Sequence, residues 1–141
     1  MKRKDFIKNS SGIFFSSMIA PHLLANTNLS NVINLGVIGT GDRGKGIIKL
    51  LNKLDGFNVI AVCDILSFRL NEAYGLIETN KNAKAFKDYR KLLDDKNIDA
   101  VVISTPLNSH DQISVDALDA DKHVYCEKTL AKGVEATARI V

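Results

Sequence analysis

A glycine-rich segment near the start of the chain constrains the fold most strongly. Three glycines have the spacing G-x-G-x-x-G, directly after the apolar run 32–38 and before an amphipathic helical pattern at 45–54. In this setting the first glycine permits a tight turn, the second lets backbone approach a pyrophosphate, and the third allows close packing of helix on strand. A glycine-rich turn without a ligand is the alternative. The candidate cofactor-binding residues here are Gly39, Thr40, Gly41, Asp42, Arg43 and Gly44.

Short apolar runs alternate with helical patterns along the rest of the chain. Strands are predicted at 57–63, 83–86, 98–105 and 123–126, and helices at 66–77, at 89–95, and from Ser109 and Gly133 onward. Ser109 and Gln112 form a capping-box pattern. This order predicts an α/β fold with a doubly wound parallel sheet of Rossmann type. We expect the first strand to be central, with the second on one side and the fourth and fifth on the other. We also expect the fold to be incomplete at its C-terminal end, because the last helical pattern stops at Val141.

The chain contains two cysteines, Cys63 and Cys126. In the expected strand order they lie three strand spacings apart, roughly 14 Å at about 4.8 Å each. Because disulfide-linked Cα atoms lie within about 7 Å of each other, the sequence predicts two free, buried thiols. Neither cysteine belongs to a CxxC or CxxH pattern, so no metal site is predicted.

Composition argues for one ordinary soluble domain and against a nucleic-acid partner. Of the 141 residues, 45% are hydrophobic and 25% are charged. Four basic residues and one acidic residue among the first ten account for the whole net charge of +3. Basic and acidic residues are therefore equal in number over the remainder, which carries no basic stripe with interleaved aromatics.

Residues 1–30 resemble a targeting segment, with a basic start, an apolar stretch at 11–25 and a polar end. The residues at 3–8 are similar to a twin-arginine export signal, with Lys4 in the place of the second arginine. The apolar stretch is shorter than the about 20 residues of a membrane span and contains Gly12 and Pro21, so no stable membrane anchor is predicted. We expect export to the periplasm. General secretion, or an uncleaved basic terminus on a cytoplasmic protein, are the alternatives, and the folded domain is expected at 31–141.

The end of the second predicted strand carries a carboxylate that bears on cofactor choice. Asp64 stands 20 residues beyond Gly44, where a carboxylate accepts hydrogen bonds from an adenosine ribose. A 2′-phosphate would face this charge at close range, and the nearest following arginine, Arg69, is five residues further on. The sequence therefore favours NAD over NADP. A helix N-cap is the alternative role for Asp64, and one residue can serve both.

The loop after the fourth predicted strand is the next candidate region. Thr105, Pro106, Asn108 and His110 lie at the carboxyl edge, where ligands bind in sheets of this type. Asn108 and His110 are candidates to reach the nicotinamide half of a dinucleotide. For His110, a polar residue on the first turn of a helix is the alternative.

Three separated pieces of the sequence resemble the N-terminal domain of the Gfo/Idh/MocA family. They are the glycine motif with Asp64, the strand from Ile98 through Thr105-Pro106 with His110, and the segment Lys122-His123-Val124-Tyr125-Cys126-Glu127-Lys128. The likeness covers about residues 31–141. The family carries Glu-Lys-Pro in the last piece, and Thr129 stands here in the place of that proline.

The resemblance implies a two-domain oxidoreductase that moves hydride between nicotinamide and the carbon of a sugar or polyol hydroxyl. It implies that Glu127 contacts the ribose of the cofactor and that Lys128 is catalytic, since an ammonium stabilises a developing alkoxide. A solvated charged pair is the alternative for these two residues. We expect these 141 residues to bind dinucleotide without oxidising a polyol, because the family's second domain is not among them. A glycosidase that keeps NAD bound, or a non-catalytic nucleotide-binding module, are the other candidate functions.

Overall fold

The computed structural model describes residues 32–140, and five strands within them form one sheet. In chain order these are β1 (Ile33–Ile38), β2 (Phe57–Cys63), β3 (Lys84–Phe86), β4 (Ala100–Ile103) and β5 (His123–Cys126). The spatial order is β3-β2-β1-β4-β5, and every neighbouring pair is parallel. The predicted doubly wound parallel sheet is thus confirmed, with the first strand at its centre.

Helices connect the strands on both faces of the sheet. They are α1 (Asp42–Leu51), α2 (Ser67–Tyr74), α3 (Tyr89–Leu93), α4 (His110–Asp119) and α5 (Val134–Ala138), with a 3-10 turn at Leu107–Ser109. The predicted capping box before α4 is wrong. The Ser109 hydroxyl donates to the carbonyl of Pro106, and the side chain of Gln112 donates to Asp116 four residues along the helix.

Two apolar clusters, one on each face, hold the helices to the sheet. Strand alternation assigns Leu35 and Val37 of β1 to one cluster and Ile38 to the other. The first cluster includes Ile48 of α1, and the second includes Ile113 of α4. Fully burying an aliphatic side chain of this size stabilises the fold by about 1.5–3 kcal/mol, so the sheet needs cover on both faces.

Both cysteines are free thiols, as the strand order requires. Cys63 pairs with Ile38 of β1, whereas Cys126 pairs with Ile103 of β4, so β1 and β4 separate them. Cys63 is buried, as predicted, but Cys126 is only partly buried. The prediction of burial is wrong for Cys126 because β5 forms the edge of the five-stranded sheet, where one flank lacks a neighbouring strand.

The predicted targeting segment at 1–30 lies outside the described residues. Within 32–140, no helix is both long enough and apolar enough to cross a membrane.

The third glycine of the motif determines how closely α1 approaches the sheet. A Cβ atom on Gly44 would lie 2.1 Å from the carbonyl oxygen of Gly39 and 2.9 Å from Oγ of Ser104. The first of these contacts is with backbone, so a methyl group fits only if the helix moves away. Gly46, two residues further along the same helix, has no atom within 4 Å of its Cβ position.

These two glycines give a matched test of the close approach. We expect Gly44→Ala to destabilise the chain by roughly 1–3 kcal/mol through overpacking. Gly46→Ala should stabilise it by about 0.5–1 kcal/mol, because alanine is the better helix former at an open position. Urea unfolding followed by circular dichroism measures both free energies. Equal stability of the two variants would show that α1 does not depend on a missing side chain at Gly44.

Candidate functional site

A cavity of about 680 Å³ opens at the carboxyl edge of the sheet. It lies where β1 is flanked by β2 on one side and β4 on the other, which is the switch point at which sheets of this type bind ligands. Its size is within the range of small-molecule sites. Its lining includes Gly39, Gly41, Asp42 and Arg43 of the glycine segment, Asp64 after β2, and Thr105, Pro106 and Asn108 after β4.

The glycine turn is fixed by hydrogen bonds to both neighbouring strands. The Gly39 amide donates to the carbonyl of Cys63 (2.8 Å), and the Ser104 hydroxyl donates to the carbonyl of Gly39 (2.6 Å). Gly39 has a φ of 87°, and a Cβ atom there would lie 2.6 Å from the amide nitrogen of Thr105. Both observations explain why this position is glycine.

Gly41 differs from the other two motif glycines because its Cβ position is open. The nearest atom to that position is Nη1 of Arg69, at 3.7 Å. Gly41 is also the N-cap residue of α1, and no side chain caps the helix there. The first-turn amide groups and the positive end of the helix dipole therefore suit an anion, and a diphosphate fits this part of the cavity.

Asp64 is a buried carboxylate with three hydrogen bonds from the protein. Its Oδ2 accepts from the amide (2.8 Å) and the hydroxyl (3.1 Å) of Thr40, and its Oδ1 accepts from the amide of Leu66 (2.9 Å). The alternative role of helix N-cap is wrong, because Leu66 holds that position in α2. A carboxylate has about four acceptor positions, so Asp64 retains capacity for a ribose hydroxyl. Thr40 is fully buried and turns its side chain toward Asp64.

The loop after β4 contributes to the cavity, but one of its predicted residues does not. Thr105, Pro106 and Asn108 line it, whereas His110 is absent from the lining and only 2% exposed. Nε2 of His110 lies 2.7 Å from the carbonyl oxygen of Thr105, and Nδ1 lies 2.9 Å from that of Thr129. The ring thus connects the loop after β4 with the segment after β5.

Glu127 and Lys128 follow β5 at the same edge of the sheet and differ in exposure. Glu127 is buried, and its Oε1 accepts a hydrogen bond from Nη2 of Arg43 at 2.7 Å. This bond and the charge of Arg43 lower the pKa of Glu127, and the same pair raises the pKa of Arg43. Lys128 is exposed. Glu127 is therefore paired with Arg43 rather than forming the solvated pair with Lys128 that was the alternative.

Several residues of the cavity lining are not among the sequence candidates, including the polar side chains of Arg69, Lys87 and Tyr89. Arg69 is five residues beyond Asp64 in the sequence, but the first turn of α2 brings its guanidinium back to the glycine segment. Tyr89 donates its hydroxyl to Asp116 (2.6 Å), and burial, followed by this bond, raises its pKa to about 12. The signal available for Tyr89 was its place just after a strand, at the carboxyl edge.

Comparison with known proteins decides the family. Residues 33–141 match the family described as "Oxidoreductase family, NAD-binding Rossmann fold" (GFO_IDH_MocA). The chain belongs to the Gfo/Idh/MocA family. The resemblance noted in the sequence is thereby confirmed, and the described part of the chain is the family's NAD-binding Rossmann domain.

Two curated relatives illustrate the activities named among similar proteins. Inositol 2-dehydrogenase of Salmonella typhimurium is 34% identical over 110 residues, covering 77% of this chain and 32% of its own length. A glycosyl hydrolase family 109 protein of Shewanella woodyi is 32% identical over 140 residues, covering 95% of this chain and 28% of its own. The chain therefore spans about a third of the length of the curated relatives it matches.

A solved structure of a family member supports the same fold. The myo-inositol dehydrogenase of Lactobacillus casei, in complex with NAD(H) and myo-inositol, superposes with a TM-score of 0.72 at 38% identity, covering 77% of this chain and 32% of that one. Structures of other relatives hold NAD(H) or NADP. Among the residues described here, no three His, Cys, Asp or Glu side chains converge on a metal position.

The thiol of Cys63, which lines the cavity, offers a test of the site's electrostatics. Burial, and then the charges of Asp64 and Asp88, raise the pKa of Cys63 to about 12. Since the thiolate is the reactive form, iodoacetamide at pH 8 should modify Cys63 about a thousandfold more slowly in the folded chain than in urea. Mass spectrometry of the labelled peptides gives both rates. Labelling of Cys63 at the unfolded-state rate in native buffer would contradict this description of the site.

Proposed function

We propose that the chain is the cofactor-binding part of an oxidoreductase that transfers hydride between nicotinamide and the carbon of a sugar or polyol hydroxyl. The observation that carries the proposal is the open backbone at Gly41, facing a cavity that Asp64 also lines. The activities named for the inositol dehydrogenase relatives support the substrate class. When bound, the dinucleotide would supply the hydride acceptor or donor.

The cofactor-binding residues in this proposal come from three loops. Gly39, Gly41 and Gly44 shape the turn, and the first-turn amides of α1, from Asp42 and Arg43 onward, hold the diphosphate. Asp64, anchored by Thr40, accepts hydrogen bonds from the adenosine ribose. The remaining candidates are Thr105, Pro106 and Asn108 beside the cavity, with His110 holding their loop, and Glu127 and Lys128 after β5.

Lys128 is the catalytic residue in this proposal. It follows Glu127 directly, and its exposed ammonium group stands at the carboxyl edge of the sheet. A positive charge there stabilises the negative charge that develops on a hydroxyl oxygen as its proton leaves. We propose that the residues present here bind the cofactor but do not turn over a polyol by themselves, because the relatives are about three times as long.

An NAD-dependent glycosidase is the second candidate function. The match to the family 109 glycosyl hydrolase covers 95% of this chain, against 77% for the inositol dehydrogenase. The longer match takes in part of the predicted targeting segment, and export to the periplasm, which we also propose, suits an enzyme that recycles a bound cofactor. A non-catalytic nucleotide-binding module is the third candidate.

Redox balance separates the two enzymatic candidates. Protein purified from its native host should reduce NAD in proportion to the polyol consumed if it is a dehydrogenase. Absorbance at 340 nm measures this directly. Release of a reducing sugar from a glycoside without net NADH would instead identify the glycosidase. Neither reaction from the native-host protein would favour the binding module, whereas the 141 residues alone are expected to bind NAD without either reaction.

Cofactor preference tests the role of Asp64. We expect calorimetry to show that NAD binds more tightly than NADP, by about tenfold, because a 2′-phosphate would lie close to the Asp64 charge. Asp64→Ala should bring the two affinities closer together. Thr40→Val is the matched control, since it removes one hydrogen bond to Asp64 but leaves the charge, and it should keep the preference. A chain that binds neither dinucleotide would refute the proposed function, and an unchanged preference in Asp64→Ala would refute the role of Asp64.

A further inference from the structure

An ion pair crosses the carboxyl edge of the sheet above β4. Arg43 is the second residue of α1, which follows β1, and Glu127 is the first residue after β5. Because β4 lies between β1 and β5, the 2.7 Å contact between Nη2 and Oε1 passes over the end of β4. Arg43 also lines the cavity. The pair therefore links the cavity wall to the end of β5, across 84 residues of sequence.

The two partners differ in how much of their conformation is already fixed. The Glu127 side chain is 10% exposed and that of Arg43 is 68% exposed. The amide of Glu127 donates to the carbonyl of Ile103 (2.9 Å), so the sheet fixes its main chain. What remains to be set is the direction of the carboxylate, which needs a hydrogen-bond donor beside it. Arg43 supplies that donor.

The contact with Arg43 leaves the Glu127 carboxylate able to accept further hydrogen bonds. It engages Oε1, whereas a carboxylate has about four acceptor positions. Hydroxyl groups on a ribose are donors of the right kind. Arg43, in contrast, already directs Nη2 of its guanidinium at Glu127.

Arg69 is a second arginine at this cavity, and it differs from Arg43 in its ion pairing. Its Nη1 lies 3.7 Å from the Cβ position of Gly41, and the residues at 32–140 include no ion-pair partner for it. A diphosphate over Gly41 would therefore meet Arg69 as a free charge. The two arginines line one cavity but are suited to different parts of a dinucleotide.

We propose that Arg43 is a positioning residue, which orients the Glu127 carboxylate toward the ribose on the nicotinamide side and acts on the cofactor through Glu127. This inference rests on the proposed binding of a dinucleotide. It also separates the two arginines: Arg69 acts on the diphosphate directly, whereas Arg43 acts on the second ribose through its partner.

Binding of three related ligands to the full 141-residue chain tests the proposal. ADP ends at the diphosphate, whereas ADP-ribose and NAD continue to the second ribose. Calorimetry should show that Arg43→Gln and Glu127→Gln each weaken the binding of NAD and of ADP-ribose about tenfold. The affinity for ADP should change by no more than about twofold. The double variant should bind no more weakly than Glu127→Gln alone, because a residue that acts through another adds nothing once that partner is lost. Arg43→Lys, which keeps the charge, should recover part of the loss.

Arg69→Gln is the matched control, since it removes the same charge from the same cavity. It should weaken the binding of ADP, ADP-ribose and NAD by similar factors. The proposal is overturned if Arg43→Gln follows that pattern, or if the losses of Arg43→Gln and Glu127→Gln add in the double variant. If Glu127→Gln fails to fold, the different effects of Arg43→Gln and Arg69→Gln on the binding of ADP and NAD still test the proposal. A wild-type chain that binds none of the three ligands would refute the proposed function instead.

Discussion

The carbonyl group of Gly39 is the point on which the cofactor-binding edge of this domain depends. The Ser104 hydroxyl donates to its oxygen, and a Cβ atom on Gly44 would lie 2.1 Å from it. The central strand, the loop after β4 and the first turn of α1 therefore meet with no side chain between helix and turn. This contact brings the N-terminus of α1 to the edge of the sheet, where its free amide groups face the cavity. A bulkier residue at either glycine would move that end of the helix away from the site.

Asp64 is a buried side chain that holds two loops of the site together and also lines the cavity. Its three hydrogen bonds come from the glycine turn and from the start of α2, so it connects the two loops on either side of the cavity. Donors from backbone and hydroxyl groups fix the position and direction of this carboxylate. Its side chain is consequently held in place before a ligand approaches. Preorganisation of this kind reduces the cost of binding.

Sequence reasoning succeeded where chemistry is local and failed where it depends on distant parts of the chain. The glycine spacing, the apolar runs and Asp64 are local features, and the strand order follows from short right-handed connections. The Arg43 and Glu127 pair joins residues 84 positions apart, and no periodicity identifies such a partner. His110 was located on the right turn of α4. Its burial between two carbonyl groups was not predicted, because those groups come from two different loops.

One cofactor domain can serve both a dehydrogenase and a glycosidase, and the arrangement of this edge explains why. In the proposed function, the glycine turn, Asp64 and Glu127 act on the parts of a dinucleotide that are common to both reactions. None of these residues discriminates between a polyol and a glycoside, which differ in groups remote from the diphosphate and the riboses. The identity of this chain to an inositol dehydrogenase (34%) and to a family 109 glycosyl hydrolase (32%) is similar, which agrees with this proposal. The choice between the two reactions must be made by residues that contact the substrate beyond its reacting carbon, whereas Lys128, in the role proposed for it, acts only on the reacting hydroxyl group.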